Sequence, residues 1–210
     1  MKICASTLSL NEPQELELIN IDNLDIDYIH IDVMDGIFVE NKTEDLEYFY
    51  NITKYTHHPK DVHLMVSDVK KYIDNFSKLN PDFISFHYEA SSDVLSVINY
   101  IHSLGIKASL AINPTTPISE IVPYLNDLDM VLVMSVEPGR GGQTFIENTV
   151  IKLEQLYTLR ENNNYKFLIE VDGGINNETI KMCKYADMFV VGSYITKNNY
   201  EESIKKLRGE

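Results

Sequence analysis

Apolar residues gather along this chain in short runs at positions 3–8, 28–33, 62–66, 83–87, 108–112, 130–135, 167–171 and 188–191. Several runs are apolar throughout rather than alternating, the pattern of strands covered on both faces. Between them, apolar residues recur every three or four positions near 15–21, 45–54, 69–78, 93–103, 118–125, 149–162, 178–185 and 201–207. That period predicts amphipathic helices. Short Pro, Gly and Asn clusters punctuate the pattern without forming a linker. Eight strand-like runs alternating with eight helical ones predict one parallel, eight-stranded (β/α)8 TIM barrel as a single domain over residues 1–210. An open doubly wound sheet is the competing arrangement. The count of eight, with the chain stopping after the eighth helix, favours the barrel. At 210 residues the barrel is at the short end of its class, which implies short loops.

Composition narrows the picture. Hydrophobic residues make up 44% and charged residues 24%, so a disordered or fibrous chain is excluded. The 32 acidic and 18 basic side chains leave a formal charge of −14. Such a surface disfavours nucleic acid and anionic membranes as partners. No signal peptide and no run of about 18 apolar residues is visible, so a cytoplasmic protein is expected. Cys4 and Cys183 sit in apolar contexts without disulfide or thiolate-metal spacing, which fits a reducing compartment. The acidic helix positions Glu15, Glu17, Glu201 and Glu202 are expected on the solvated surface.

Chemistry in such a barrel sits at the C-terminal ends of the strands. Residues two apart on a strand share a face, so His30 and Asp32 point the same way. If that face is the barrel interior, His63 from the third strand and Asp172 from the seventh can join them. Two imidazoles and two carboxylates suit one divalent cation: Zn²⁺, Fe²⁺, Mn²⁺ or Co²⁺. Either histidine alone would read as a hydrogen-bonded core residue. Four ionisable groups within apolar strands read as a site, because buried charges are paired or bind metal. Gly139, Gly141 and Gly142 follow the sixth strand, Gly173 and Gly174 the seventh, and Gly192 with Ser193 the eighth. Each glycine group alone is ordinary turn chemistry. Three at successive strand ends predict a nest of amides for a phosphate, held without a basic patch. Met34, Met65 and Met134 lie near the strand ends, either as core filling or as an apolar collar that keeps water from a reactive intermediate. No lysine stands at the C-terminal end of a predicted strand, and no serine sits in a nucleophile elbow. Schiff-base and acyl-transfer chemistry therefore lack their groups.

The segments Ser6-Thr7-Leu8-Ser9, His30-Ile31-Asp32-Val33-Met34-Asp35-Gly36, Asp61-Val62-His63-Leu64-Met65-Val66, residues 134–143 and Glu170-Val171-Asp172-Gly173-Gly174-Ile175 resemble the ribulose-phosphate 3-epimerase family in order and spacing. The resemblance runs through Val191-Gly192-Ser193. It implies a metal-dependent isomerase that interconverts D-ribulose 5-phosphate and D-xylulose 5-phosphate in the pentose phosphate pathway. By that resemblance, His30, Asp32, His63 and Asp172 bind one divalent metal ion. Asp32 and Asp172 accept and donate the proton, Ser6 contacts the substrate, and the glycine loops hold its phosphate; His63, Arg140 and Ser193 are expected to complete the substrate site. A small phosphorylated ketose is the expected ligand, and a homo-oligomer the expected assembly. The chemistry is self-consistent. Inverting a carbon beside a ketone needs a base on one face, an acid on the other and a Lewis acid for the enediolate, but no organic cofactor.

Five features depart from the family pattern: Ala5 in place of proline, Ile37 in place of histidine, Glu40 in place of proline, the stretch Thr43-Glu44-Asp45, and Arg140 in place of an aromatic residue. They are expected to place charge at the pocket mouth. They leave open a 3-epimerase of a hexulose 6-phosphate such as allulose 6-phosphate. A phosphosugar lyase or decarboxylase would want a lysine near Asp32, and Val33-Met34 supplies none. A barrel that binds a sugar phosphate without catalysis is the third alternative, and intact Asp32 and Asp172 argue against it.

Overall fold

A computed structural model describes residues 1–43 and 45–210, and in it eight parallel strands close into a barrel. They are β1 (Lys2–Ser6), β2 (Tyr28–Met34), β3 (Lys60–Met65), β4 (Phe83–His87), β5 (Lys107–Ile112), β6 (Met130–Met134), β7 (Leu168–Asp172) and β8 (Met188–Val191). The strands pair in chain order, and β1 closes on β8 with Ala5 beside Val191. Burial on both faces explains the unbroken apolar runs: every residue of β2 is buried.

Outside the barrel lie α1 (Gln14–Asp22), α2 (Leu46–Thr53), α3 (Val69–Phe76), α4 (Val94–Ser103), α5 (Thr149–Asn163), α6 (Thr179–Met182), α7 (Ser193–Thr196) and α8 (Tyr200–Arg208). The carboxylates of Asp45, Asp68 and Asp93 accept from the amides of Tyr48, Lys71 and Ser96, capping α2, α3 and α4. Three expectations need correction. Residues 118–125 form two 3-10 turns, Ile118–Glu120 and Val122–Tyr124, rather than a helix. Pro123 lies in the second turn and has no N–H to extend an α ladder. The predicted helix over 178–185 shrinks to the single turn of α6. Glu17 is buried rather than solvated, unlike the exposed Glu15, Glu201 and Glu202. Its carboxylate accepts from the backbone and side-chain amides of Asn11, both at 2.8 Å, and from the Tyr200 hydroxyl. It thereby ties the β1–α1 connection to α8.

Two apolar regions position the site. Outward strand residues such as Ile31, Leu64 and Val131 pack against Leu18, Ile73, Ile98 and Leu153 of the helices. Inside the barrel, Cys4, Tyr28, Phe83, Met130, Met188 and Val190 form a plug at its N-terminal end. Above that plug the interior turns polar. Both cysteines are buried and unpaired. Among the described residues no helix is long and apolar enough to cross a membrane.

The N-terminal rim carries a recurrent device. Asp27, Asp82, Asp129 and Asp187 immediately precede β2, β4, β6 and β8. Their amides donate to the carbonyls of Ile3, Lys60, Ala108 and Ile169 on the preceding strands, at 2.8–3.0 Å. The carboxylates of Asp27, Asp129 and Asp187 also accept from the amides of Ile3, Ala108 and Ile169, at 2.8–2.9 Å. Three carboxylates thus staple neighbouring strands at their starts.

Removing the buried acceptor at Glu17 strands several donors at once. Glu17→Ala should lower stability by about 1.5–3 kcal/mol, the range for hydrogen bonds to a charged group. A urea titration would read this as a lower midpoint at unchanged slope. The exposed control Glu201→Ala should move the midpoint by less than about 0.5 kcal/mol equivalent.

Candidate active site

Above the apolar plug, β2, β3 and β7 turn His30, Asp32, His63 and Asp172 inward, and one ligand atom from each lies within 4.8 Å of the others. Strand register explains the convergence, because Asp32 lies beside His63 and inward side chains recur every second residue. His30 Nε2 lies 3.4 Å from Asp32 Oδ1. His63 Nδ1 lies 3.2 Å from that same oxygen and 3.8 Å from Asp172 Oδ2. The Ser6 hydroxyl donates to Asp32 Oδ2 at 2.9 Å. The Asp172 side chain, 17% exposed, forms the open side of the cluster. His30 Nε2 is buried with no hydrogen-bond partner. An orphaned imidazole nitrogen beside another imidazole and two carboxylates fits the donor set of a divalent cation.

Four further buried or half-buried groups, absent from the sequence expectations, stand behind the cluster. Asp61 Oδ2 lies 2.6 Å from His30 Nδ1, and Glu170 shares the same pocket. His87 Nε2 lies 2.8 Å from His63 Nε2, and Glu89 Oε2 lies 3.3 Å from His87 Nδ1. The spacing that singled out His30 and Asp32 also marks them: Asp61-x-His63, His87-x-Glu89 and Glu170-x-Asp172.

The environment splits the two aspartates. Burial alone would raise the Asp32 carboxyl, but His30 and His63 outweigh it and hold the group far below the usual carboxylate range. Burial and the neighbouring Asp32 charge push Asp172 up to about 7. Burial disfavours the His30 cation, but Asp32 and Asp61 outweigh burial and raise its pKa. Burial lowers His87 to about 4. Burial and the charge of Asp61 drive the Glu170 carboxyl well up.

A cavity of about 540 Å³ opens over the cluster. Ser6, Asp32, Asp172, Met34, Met65 and Met134 line its inner part. His63, expected on both metal and substrate, is wholly buried and does not line it. Gly139, Arg140, Gly141, Gly142, Gly173, Gly174, Gly192 and Ser193 line the outer part. The amides of Gly141, Gly142, Gly174, Gly192 and Ser193 donate to no acceptor in the described protein. Close packing holds these loops: a Cβ on Gly173 would meet Val136 Cγ2 at 2.5 Å, and one on Gly192 would meet Ser9 Oγ at 2.4 Å. Arg160 and Arg208 pair with carboxylates, whereas Arg140 pairs with none among the described residues.

The expected charge at the mouth is therefore carried by Arg140, with Glu137 and Lys197 also lining the cavity. Among the described residues, neither Glu40 nor Asp45 lines it, and Glu44 lies outside those residues. The loop after β2 serves instead as support. Val39 packs under Gly139, where a Cβ would approach within 2.8 Å, and the Asn41 side-chain amide donates to the Gly139 carbonyl at 2.7 Å. Lys152 reaches the end of β5 from α5, but its ammonium donates to the carbonyls of Asn113 and Thr116 and offers no free amine.

A profile described as the Ribulose-phosphate 3 epimerase family matches residues 2–196. The chain is 37% identical over 197 residues to a ribulose-phosphate 3-epimerase of Bacillus subtilis, covering 92% of this chain and 91% of that one. It is 38% identical over 212 residues to the enzyme so named in Methanocaldococcus jannaschii, covering 99% and 90%. Among solved structures, KGPDC from Streptococcus mutans superposes with a TM-score of 0.71 at 11% identity, covering 99% and 95%. N-(5'-phosphoribosyl)anthranilate isomerase from Pyrococcus furiosus superposes at 0.63 with 15% identity, covering 99% and 97%. At such identities the structural matches speak for the fold alone.

The two outer glycines Gly142 and Gly174 separate backbone strain from packing. Both have left-handed φ, +71° and +63°. A Cβ on Gly142 meets nothing within 4 Å, whereas one on Gly174 meets the backbone nitrogen of Phe145 at 2.7 Å. Gly142→Ala should lower stability by about 1 kcal/mol, the strain of the left-handed conformation. Gly174→Ala should lower it by roughly twice that or more, because the loop must also move. Equal midpoints for the two variants in chemical denaturation would count against this packing.

Proposed function

The chain belongs to the ribulose-phosphate 3-epimerase family, and on that premise we propose that it inverts carbon 3 between D-ribulose 5-phosphate and D-xylulose 5-phosphate. It is an isomerase. The observation that carries the reading is a pair of carboxylates with opposite proton preferences lining one cavity. Pairs of titratable groups pushed apart in this way identify the base and the acid.

Asp32, held ionised by His30 and His63 and oriented by the Ser6 hydroxyl, takes the proton from carbon 3 on its face of the substrate. Asp172, whose proton affinity is raised by burial and by the Asp32 charge, returns one on the opposite face. One C–H bond breaks, one forms, and the substrate is neither oxidised nor reduced. In the reverse direction the two exchange roles. His30, Asp32, His63 and Asp172 would together hold one divalent cation, which when bound supplies Lewis-acid stabilisation of negative charge on the substrate oxygens. Met34, Met65 and Met134 exclude water that would scramble the proton. The amides of Gly141, Gly142, Gly174, Gly192 and Ser193 receive the phosphate, with Gly139 and Gly173 shaping the loops and Arg140 adding a cation. Anchoring the phosphate sets carbon 3 between the two acids.

Isotope exchange tests the assignment. Asp32→Asn and Asp172→Asn should each lower the rate of epimerisation by about 10²–10⁴-fold or more. With metal content matched to the parent, each variant should still wash deuterium from heavy water into carbon 3 of one epimer without inverting it. A metal-replete Asp172→Asn that epimerises at the parent rate would end the two-carboxylate mechanism.

Metal uptake should depend on pH in a definite sense. Asp172 titrates at about 7, so below that pH a proton must leave before the carboxylate can bind a cation. His30, raised by its carboxylate neighbours, must also shed a proton. Affinity should therefore climb from pH 6 to pH 8. Calorimetry at pH 6 in buffers of different ionisation enthalpy should record at least one proton released per cation.

A further inference from the structure

The two buried imidazoles of the cluster each have one nitrogen toward Asp32 and one away from it, and the far nitrogens are both occupied. His30 points Nε2 at Asp32 and Nδ1 at Asp61, whose Oδ2 lies 2.6 Å away. Asp61 is 0% exposed. Its other oxygen and both oxygens of Glu170, in the same pocket, have no hydrogen-bond partner. An ionised carboxylate can only accept, and so short a contact is that of a charge-assisted hydrogen bond. In the neutral ring the hydrogen of His30 therefore belongs on Nδ1, which leaves Nε2 as a bare lone pair for a cation.

His63 is fixed through two steps. Its Nδ1 faces Asp32 and Asp172, and its Nε2 lies 2.8 Å from Nε2 of His87. A contact between two ring nitrogens needs one hydrogen and one lone pair. His87 Nδ1 faces Glu89 Oε2 at 3.3 Å. The other Glu89 oxygen accepts from the Asn113 amide at 2.9 Å and from the Thr116 hydroxyl, so this carboxylate acts as an acceptor throughout. His87 then carries its hydrogen on Nδ1 and accepts at Nε2, and His63 donates from Nε2. The tilted ring of Phe38 packs against His87 with centroids 4.9 Å apart. His63 is left with its bare lone pair on Nδ1.

We propose that Asp61 and the His87–Glu89 pair are positioning residues that set the tautomers of His30 and His63, so that both rings offer a bare nitrogen to the point they share with Asp32 and Asp172. The inference rests on the metal reading of that cluster. Partners of this kind behind a metal-bound imidazole fix its orientation and raise its basicity.

Zn²⁺ affinity, measured on the full chain by competition with a chromophoric chelator, tests the inference. Asp61→Asn keeps an acceptor for the ring hydrogen but loses the charge. Asp61→Ala removes both, and His87→Phe keeps an aromatic ring but cannot accept. Affinity should fall about 10-fold in Asp61→Asn and up to about 100-fold in the other two, the range for such partners. The affinity for inorganic phosphate, bound at the outer loops, should stay within twofold of the parent. Should Asp61→Ala fail to fold, Asp61→Asn and His87→Phe carry the test. Imidazole nitrogen–proton correlation spectra of the Zn²⁺-loaded parent should place the hydrogen on Nδ1 of His30 and on Nε2 of His63. Folded variants that bind Zn²⁺ as tightly as the parent, or spectra with the opposite tautomers, would overturn the inference and leave the metal reading standing. A parent that takes up no Zn²⁺, Mn²⁺, Fe²⁺ or Co²⁺ would overturn the metal reading, and this inference with it.

Discussion

A carboxylate taken out of water without a partner is penalised by several kcal/mol even after the protein relaxes around it. The interior of this barrel holds Asp32, Asp61, Glu170 and Asp172 within a few ångströms of two imidazoles, and much else there answers to that constraint. Ser6 and both imidazoles surround Asp32. The imidazole of His30 lies against Asp61. Asp172 meets the constraint differently, at the open mouth, where solvent reaches part of it. Asp61 and Glu170 lie level with Phe83 and Met188 of the apolar plug, whereas Asp32 and Asp172 face the cavity. The same crowding that makes the cluster expensive to bury also separates the proton affinities of Asp32 and Asp172, so stability and chemistry draw on one arrangement.

A chain of formal charge −14 has few cations to devote to an anion, and under the proposed function the outer cavity would manage with backbone amides. Five amides without acceptors line the cavity beside a single arginine that is free of carboxylates. Backbone dipoles are fixed by the fold, so they hold an anion without the reorganisation that a flexible cationic side chain requires. The tight approach of Gly173 to Val136 and of Gly192 to Ser9 supplies the rigidity. Glycine is needed at these points because the neighbouring loop occupies the space of a Cβ.

The eight strands were legible in the sequence because burial on both faces writes an uninterrupted apolar run, a signal that needs no partner to be read. The helical period failed where local chemistry overrode it, at Pro123 and at the single-turn α6. Of the four residues that converge, His30 and Asp32 were legible from their i, i+2 spacing, and His63 and Asp172 from being ionisable groups inside apolar strands. Asp61, His87, Glu89 and Glu170 obey the same spacing, but their meaning depends on which ring nitrogen faces which carboxylate, a relation between strands that no single strand records. Glu17 is the same lesson on the outside of the barrel. Its partners Asn11 and Tyr200 come from opposite ends of the chain, so a position that looks like surface becomes interior only after the ends meet.

The amides of the aspartates under β2, β4, β6 and β8 tie each of these strands to the one before it, and the carbonyls of Asp82, Asp129 and Asp187 accept from Lys107, Leu168 and Lys2 of the strand that follows. The rim is thus laced around the barrel, while the cluster above draws His30 and Asp32 from β2, His63 from β3 and Asp172 from β7. Neither half of the barrel contains the whole cluster: β1–β4 carries His30, Asp32 and His63, and β5–β8 carries Asp172. A fragment holding either half alone therefore lacks part of the cluster, which exists only where the two halves are paired.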